Sequence, residues 1–427
     1  MNVYHDWDFR TGLGPNGKGI RVAWLMPSVA RGFYWQPIFR EFTELFPETR
    51  IFAGFWPAAL AGYEGSFSVR HFRVIRFVTL AYPQISRGLS FTWVPLSALC
   101  ELAKFKPRII FTTGFSLFTL YALLLKFFLH CRIVLLWEGI APSIAFLNSP
   151  LRLSIRRLMA HCFDACISNT QEGLDYLRRT LGVPERKLIC YPYEVSDIKV
   201  VESIQDAQTK HDFVTRPVFL YVGQLIGRKG LRNFLYACSH LKEQGKTHYS
   251  IVIVGEGSQG QELRELANTL GLGDQVHWAG RVAYEKLGSF YRACDIFVFP
   301  TLEDTWGLVV PEAMAFGKPI LCSKYAGSKE LIVHGENGYV FDARQPRELA
   351  ELMARFVSDP GLADSLGARS KQIITPYTPR QSASVLASVG ASHSIRKTTA
   401  RRPYSEVGIP ADTKPEMLTP DRKVEPR

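Results

Sequence analysis

The sequence has no apolar run long enough to cross a bilayer, no CxxC pair and no His/Cys/carboxylate cluster at metal-ligand spacing. Its most apolar stretch, SLFTLYALLLKFFLH (116–130), falls short of the ~20 residues a membrane span needs and contains Lys126. A buried helix is expected there, with an interfacial helix as the alternative. MNVYHDWDFRTG lacks a basic region followed by an apolar run, so no signal peptide is expected. The eight cysteines (Cys100, Cys131, Cys162, Cys166, Cys190, Cys238, Cys294, Cys322) follow no framework spacing and sit mostly inside apolar runs. They read as reduced core residues of a cytoplasmic protein. Acidic residues are the scarce charge: 39 Asp+Glu stand against 51 Lys+Arg, a net +12. Such an excess points to a phosphate-bearing ligand, nucleic acid or an anionic membrane surface.

What is present is an ordinary globular composition, 47% hydrophobic and 21% charged, over 427 residues. That length allows two or three domains at about 150 residues each. The basic excess lies mainly in residues 1–200, which carry 23 Lys+Arg against 14 Asp+Glu, net +9. From Arg21, short apolar runs alternate with amphipathic helical patterns, the rhythm of parallel βα units. Strands are expected at 21–27, 49–55, 72–77, 108–114, 131–139, 165–170 and 187–192. The weakly apolar stretch 193–216 suits a linker. Alternation restarts at 218–223, 249–255, 275–280, 295–300, 319–323 and 338–343. The organisation is therefore a flexible lead-in (1–20), a Rossmann-like domain (21–195), a linker (196–216) and a second Rossmann-like domain (217–377). A further helix is expected at 378–390 and a disordered tail at 391–427. Ligands of such sheets bind beyond the carboxyl ends of the strands, so two sheets side by side imply a cleft.

Three motifs mislead. GLGPNGKG (12–19) nearly matches a P-loop, but Gly19 stands where Ser or Thr should ligate magnesium, and no strand precedes it. Asp6 and Asp8 imitate a metal-binding DxD, again without a preceding strand. GEGSQG (255–260) matches GxGxxG between a strand and a helix, yet the next strand ends in Ala279 and Gly280, with no acid for a ribose. Tight strand-to-helix packing explains its glycines as well as a dinucleotide would.

Two segments carry the chemistry. In YVGQLIGRKGLRNFLYA (221–237) a strand ends in Gly223, and a loop presents Arg228 and Lys229 directly before a helix. Cations there oppose the helix dipole, so they need a reason; a diphosphate suits both, Arg through bidentate bonds and Lys as a movable charge. In DIFVFPTLEDTWGLVVPEAMAFGKPILCS (295–323) a loop carries Asp304, Thr305, Trp306 and Gly307, and the helix marked by Pro311 holds Glu312. Asp304 and Glu312 can face one ligand above the strand ends, where loop and helix amides meet negative charge.

Residues 218–377 resemble the nucleotide-sugar-binding domain of the retaining glycosyltransferases of GT-B fold, the large family 4 group acting in polysaccharide and lipid assembly. The GRKG loop, the VGEG turn, HWAGRV (277–282) and DTWGLVVPEAMAFGKPI carry the resemblance, and SNTQEGLDYL (168–177) extends it weakly to the first half. It implies a GT-B architecture, two Rossmann-like α/β domains with parallel sheets facing each other across a cleft. It implies that Arg228 and Lys229 bind the donor diphosphate and that Glu312 binds the ribose. Asp304, Thr305, Trp306, Gly307 and Leu308 would meet the sugar, with Gly223 beside them and Arg281 and Val282 framing the nucleobase. Asp304 stands where the family has Glu. Where many relatives place a His, LLWEGIAPS (135–143) offers Glu138, to orient or deprotonate an acceptor hydroxyl or to cap the next segment.

The expected activity is transfer of a sugar from a nucleotide-diphospho-sugar to a hydroxyl of a glycan, lipid-linked or small-molecule acceptor, with retention of configuration. No cofactor or metal is expected. A weaker expectation, drawn from eight Lys+Arg against two Asp+Glu in 50–110 and from Arg152, Arg156 and Arg157, is peripheral binding to an anionic cytoplasmic leaflet. The rivals are an NAD(P)-dependent oxidoreductase, a nucleic-acid-binding protein and a non-catalytic nucleotide-sugar-binding relative. Selective stabilisation by UDP or GDP separates the first two from a glycosyltransferase.

Overall fold

The computed structural model describes residues 19–28, 34–56, 60, 62–78, 90–202, 215–359 and 361–392. GLGPNG, Lys18, Asp6, Asp8 and the expected tail from 393 onward lie outside these residues.

The first half builds β1 (Val22–Ser28), α1 (Trp35–Leu45), β2 (Thr49–Phe55), β3 (Ser68–His71), β4 (Ile75–Val78), β5 (Ser90–Trp93) and α2 (Leu96–Phe105). β6 (Ile109–Thr113), α3 (Leu117–Leu129), β7 (Arg132–Trp137), α4 (Pro142–Ala145), α5 (Pro150–His161), β8 (Ala165–Ser168), α6 (Gln171–Asp175), β9 (Leu188–Cys190) and α7 (Ile198–Glu202) follow. The second half builds β10 (Val218–Val222), α8 (Leu231–Glu243), β11 (Ser250–Val254), α9 (Gly260–Thr269), β12 (Val276–Gly280), α10 (Leu287–Ala293), β13 (Ile296–Phe299) and α11 (Val309–Ala315). It ends with β14 (Ile320–Ser323), β15 (Gly338–Phe341), α12 (Pro346–Ser358), α13 (Leu362–Ile374) and α14 (Pro379–Ala391).

Seven strands form one sheet in the order β3-β2-β1-β6-β7-β8-β9, and six form another in the order β12-β11-β10-β13-β14-β15. All pairings in both are parallel. Parallel strands are covered on both faces, which is why β8, β10, β11, β13 and β14 are apolar runs buried from end to end. In the first sheet Trp24 stacks on Phe111 at 4.3 Å and meets Phe39 and Phe42 edge-on at 5.0 Å, which locks α1 onto β1 and β6. α14 returns from the second half to the same face, burying Ala383, Leu386 and Ala387 beside α1.

Two expectations change. The run 72–77 is not one strand of the sheet: the edge strand is the more polar β3, while β4 pairs antiparallel with β5 as a separate hairpin. Alternation picks out Phe72 and Val74, which fill the core beneath, whereas an edge strand needs no continuous apolar face. The apolar helix α3, started by a capping box between Ser116 and Thr119, is not buried all round. Phe118, Tyr121, Ala122 and Leu125 face the core, and Leu120, Leu124, Phe127 and Phe128 stand in the open.

Leu386→Ala, in the fully buried face of α14, is expected to cost about 2–5 kcal/mol. Urea denaturation of the full chain measures it, and a change below ~0.5 kcal/mol would show that α14 does not anchor the first sheet.

Candidate functional site

The loops after β10 and β13 are sewn together. Gly227–Lys229 make one 3₁₀ turn, and Gly230 ends it in the left-handed region (φ +71°). A Cβ on Gly230 would lie 1.9 Å from the Pro300 carbonyl, so only glycine lets the two loops touch. The Arg228 carbonyl accepts from Leu302 N (2.8 Å) and Thr301 Oγ1 (3.0 Å). This contact turns both cations toward Asp304. Lys229 Nζ donates to Asp304 Oδ2, Arg228 Nη1 lies 3.7 Å from the same oxygen, and Arg228 also donates to the Glu303 carbonyl at 3.1 Å. The three side chains are 11–17% exposed, so their charges meet in a weakly screened setting.

Asp304 is held from the other side by the loop after β14. Asp304 N donates to Tyr325 O (3.1 Å), Gly327 N to Asp304 O (3.1 Å) and Ser328 N to Trp306 O (2.9 Å). Thr305 and Trp306 are buried, Gly307 turns the chain at φ +98°, and Leu308 precedes α11. Gly223 closes β10, its N–H donating to Val254 O at 3.0 Å. The structure thus brings Gly223, Arg228, Lys229, Asp304, Thr305, Trp306, Gly307 and Leu308 to the carboxyl ends of β10 and β13.

Glu312, in the first turn of α11, is 1% exposed. Its Oε1 accepts from Ser196 Oγ (2.6 Å) and Tyr284 OH (3.0 Å), and its Oε2 from Tyr291 OH (2.9 Å). Burial raises its pKa, and the three hydroxyls hold that rise back. The expected ribose ligand is thus already bonded to protein, and a ribose hydroxyl reaches Oε1 only by replacing Ser196 or Tyr284. Ser196 belongs to the segment read as a linker, so the two halves are tied at this carboxylate. Arg281 stays apart: 80% exposed, it lies 3.4 Å from Glu256, with half-buried Val282 beside it.

The two halves meet through segments that follow their strands. Trp306 Nε1 donates to Glu194 O at 3.0 Å, Ser143 Oγ bonds Glu303, and the Gln171 N–H donates to the Glu330 carboxylate at 2.7 and 2.9 Å. Glu138 follows β7 at this junction and is exposed. Sequence reasoning missed Glu194. It follows β9, is 4% exposed, and its Oε1 has no hydrogen-bond partner, as is true of Asn169 Nδ2 and the Tyr193 hydroxyl. Burial pushes its pKa well above the carboxylate range, the Glu138 charge adds to the rise, and Asn169 and Tyr34 oppose it. Its only signal was a lone acid in YPYEV inside an otherwise apolar context.

The GEGSQG glycines have a packing cause. A Cβ on Gly255 would lie 1.8 Å from the Gly223 carbonyl, and one on Gly257 2.3 Å from that of Leu225. The loop after β11 lies flat on the loop after β10.

A carboxyl whose folded pKa is raised binds more protons folded than unfolded, so the stability it confers falls as pH rises from about 4.3 toward the folded value. Glu194→Gln removes this. The wild type is expected to lose up to ~1.4 kcal/mol per pH unit relative to the variant within that window; identical pH slopes in denaturant melts would rule out a raised Glu194 pKa.

Residues 4–194 match the family described as "Glycosyl transferase 4-like domain" and residues 203–373 the family described as "Glycosyl transferases group 1". "Alpha-D-kanosaminyltransferase" of Streptomyces kanamyceticus is 26% identical over 211 residues, 47% of this chain and 53% of that protein. The "GDP-mannose-dependent alpha-(1-6)-phosphatidylinositol monomannoside mannosyltransferase" of Mycobacterium tuberculosis is 28% identical over 167 residues, 38% of this chain and 43% of that protein. The chain spans about half the length of the curated relatives it matches. In fold it is similar to HepE of Anabaena in complex with UDP, with TM-score 0.68 at 18% identity over 86% of this chain and 98% of that one. Both halves match in order, on two parallel sheets of GT-B architecture, and the chain belongs to the GT-B glycosyltransferases of the family 4 type.

Proposed function

We propose that the protein transfers a sugar from a nucleotide-diphospho-sugar to a hydroxyl of a glycan or lipid-linked acceptor, in the cytoplasm and with retention of configuration. The observation that carries this reading is the Asp304 carboxylate shared by Lys229 and Arg228 at the carboxyl ends of β10 and β13. A donor diphosphate competes with Asp304 for the same two cations. Once displaced, Asp304 turns to a sugar hydroxyl, beside the amides of Thr305, Trp306, Gly307 and Leu308. Glu312 takes the ribose by exchanging a protein hydroxyl for a sugar one, and Arg281 and Val282 frame the base. The mannosyltransferase relative and the solved neighbours with UDP, UDP and glucose, or UDP-glucose support a donor of this class.

In the transfer, the bond from the sugar C1 to the diphosphate oxygen breaks and its electron pair leaves with the diphosphate. The acceptor oxygen bonds C1 on the same face and gives its proton to a base, the role we assign to Glu138. Arg228, Lys229 and the start of α11 stabilise the leaving charge, a preorganised electrostatic contribution that needs no metal.

Thermal shift with UDP, GDP, ADP and NAD⁺ tests the class: a bound ligand at 100 times its Kd adds about 2.7 kcal/mol. Stabilisation by UDP or GDP is expected; stabilisation by NAD⁺ alone would restore the oxidoreductase reading, and nucleotide binding with neither donor hydrolysis nor transfer would leave a binding protein. Arg228→Ala is expected to lower turnover about 10²–10³-fold. Asp304→Asn is expected to bind the free nucleoside diphosphate more tightly while transferring more slowly, because it no longer competes for Lys229. Weaker nucleotide binding by Asp304→Asn would contradict the exchange.

A further inference from the structure

Twelve large hydrophobic side chains stand exposed among the described residues, and eight of them lie on α3 and on the stretch from Leu147 through α5. On α3 they are Leu120, Leu124, Phe127 and Phe128, a stripe at helical spacing that ends in two phenylalanines 77% and 79% exposed. On α5 they are Leu151, Ile155 and Leu158, again one stripe. α2, α3 and α5 share one core cluster on the same side of the first sheet. Lys126 Nζ ties the last turn of α3 to the end of α5 by donating to Cys162 O and Asp164, both at 2.7 Å. Ile75, Trp93 and Leu96, on the hairpin and the start of α2, extend the face, since the Tyr121 hydroxyl of α3 bonds Val94 O at 2.9 Å. Isolated exposed hydrophobics are ordinary, but a concentration of this kind on one face is not.

The charge on this face is one-sided. α5 (PLRLSIRRLMAH) has no acid, and the only charged residue within α3 is Lys126. Arg152 and Arg157 are exposed beside the leucines. Arg156, by contrast, turns inward, donating to Ile144 O and the Tyr176 hydroxyl at 2.8 Å, so two of the three arginines counted from sequence reach the surface. A second copy on a two-fold axis would set these cations against each other. An anionic bilayer meets both features: phenylalanine and leucine tips enter the acyl boundary while guanidinium groups stay among lipid phosphates.

We infer that the α3–α5 face, led by Phe127, Phe128, Leu151 and Leu158 and flanked by Arg152 and Arg157, seats the protein on an anionic lipid surface. Among its described residues, the segment 50–110, with its excess of basic residues, adds to this face the hairpin edge and the start of α2. Among the described residues no helix is long and apolar enough to cross a membrane, so the contact is interfacial. α4, just before α5, bonds the second half through Ser143 and Glu303, so the face runs up to the rim where the two halves meet. A lipid-borne acceptor held on this face enters there without leaving the bilayer.

The test is co-flotation of the full chain with phosphatidylcholine vesicles with and without about 30% phosphatidylglycerol. Wild type is expected on the anionic vesicles, with Phe127→Glu/Phe128→Glu and Arg152→Glu/Arg157→Glu each lowering the bound fraction about tenfold. Circular dichroism and melting curves establish that both variants fold, their altered side chains being exposed. Wild type absent from anionic vesicles, or unaffected variants, would overturn the inference. So would a wild-type dimer that Phe127→Glu/Phe128→Glu turns into a monomer, which assigns the face to a second copy. None of these outcomes depends on nucleotide binding, so failure of the donor assay and failure of this inference are told apart.

Discussion

The close packing of the loops after β10 and β13 around Gly230 is the constraint on which the site rests. Because the Pro300 carbonyl sits where a Cβ would be, the GRKG turn cannot move away from the Asp304 loop without losing the contacts that order both. Two cations next to a helix start, unfavourable toward the dipole, are stabilised by one carboxylate at low exposure. Lys229 and Arg228 both face this single carboxylate, which draws the two loops together.

A second constraint operates between the halves. Glu312 is a buried acid whose hydroxyl partners come from both sides: Tyr284 and Tyr291 from its own half and Ser196 from the segment leaving the first sheet. Removing such a carboxylate from water is tolerable because every oxygen is bonded. The tie from Ser196, the Trp306–Glu194 bond and the Glu330 contacts to the start of α6 all lie where the two halves meet. Glu194 is the opposite case, a buried carboxyl with one oxygen unbonded, whose pKa is raised by burial and by the Glu138 charge.

The βα rhythm was legible residue by residue, since a strand covered on both faces has to be apolar throughout and this pattern survives without tertiary context. Thr49–Phe55 reads directly as the strand that forms. β3 did not, because an edge strand such as SVRH has no periodic signature, and Phe72 and Val74 mimic one while filling the core. The cations and acids of the site were legible for a different reason: each sits in the loop or helix that follows a strand, and strand ends of one parallel sheet share an edge.

The sequence by itself determined the two sheets, the order of their strands' loops and the identity of Arg228, Lys229, Asp304 and Glu312 as charged residues at those ends. Only the tertiary structure decided what each charge meets, because pairing across 75 residues between Lys229 and Asp304, or across 116 between Ser196 and Glu312, depends on loop geometry that no local pattern encodes. It also decided the meaning of the scarcities noted at the outset. The apolar run too short for a membrane span becomes a helix with one face in the core and one in the open, since burial depends on which side of a sheet a helix covers and what covers the helix in turn.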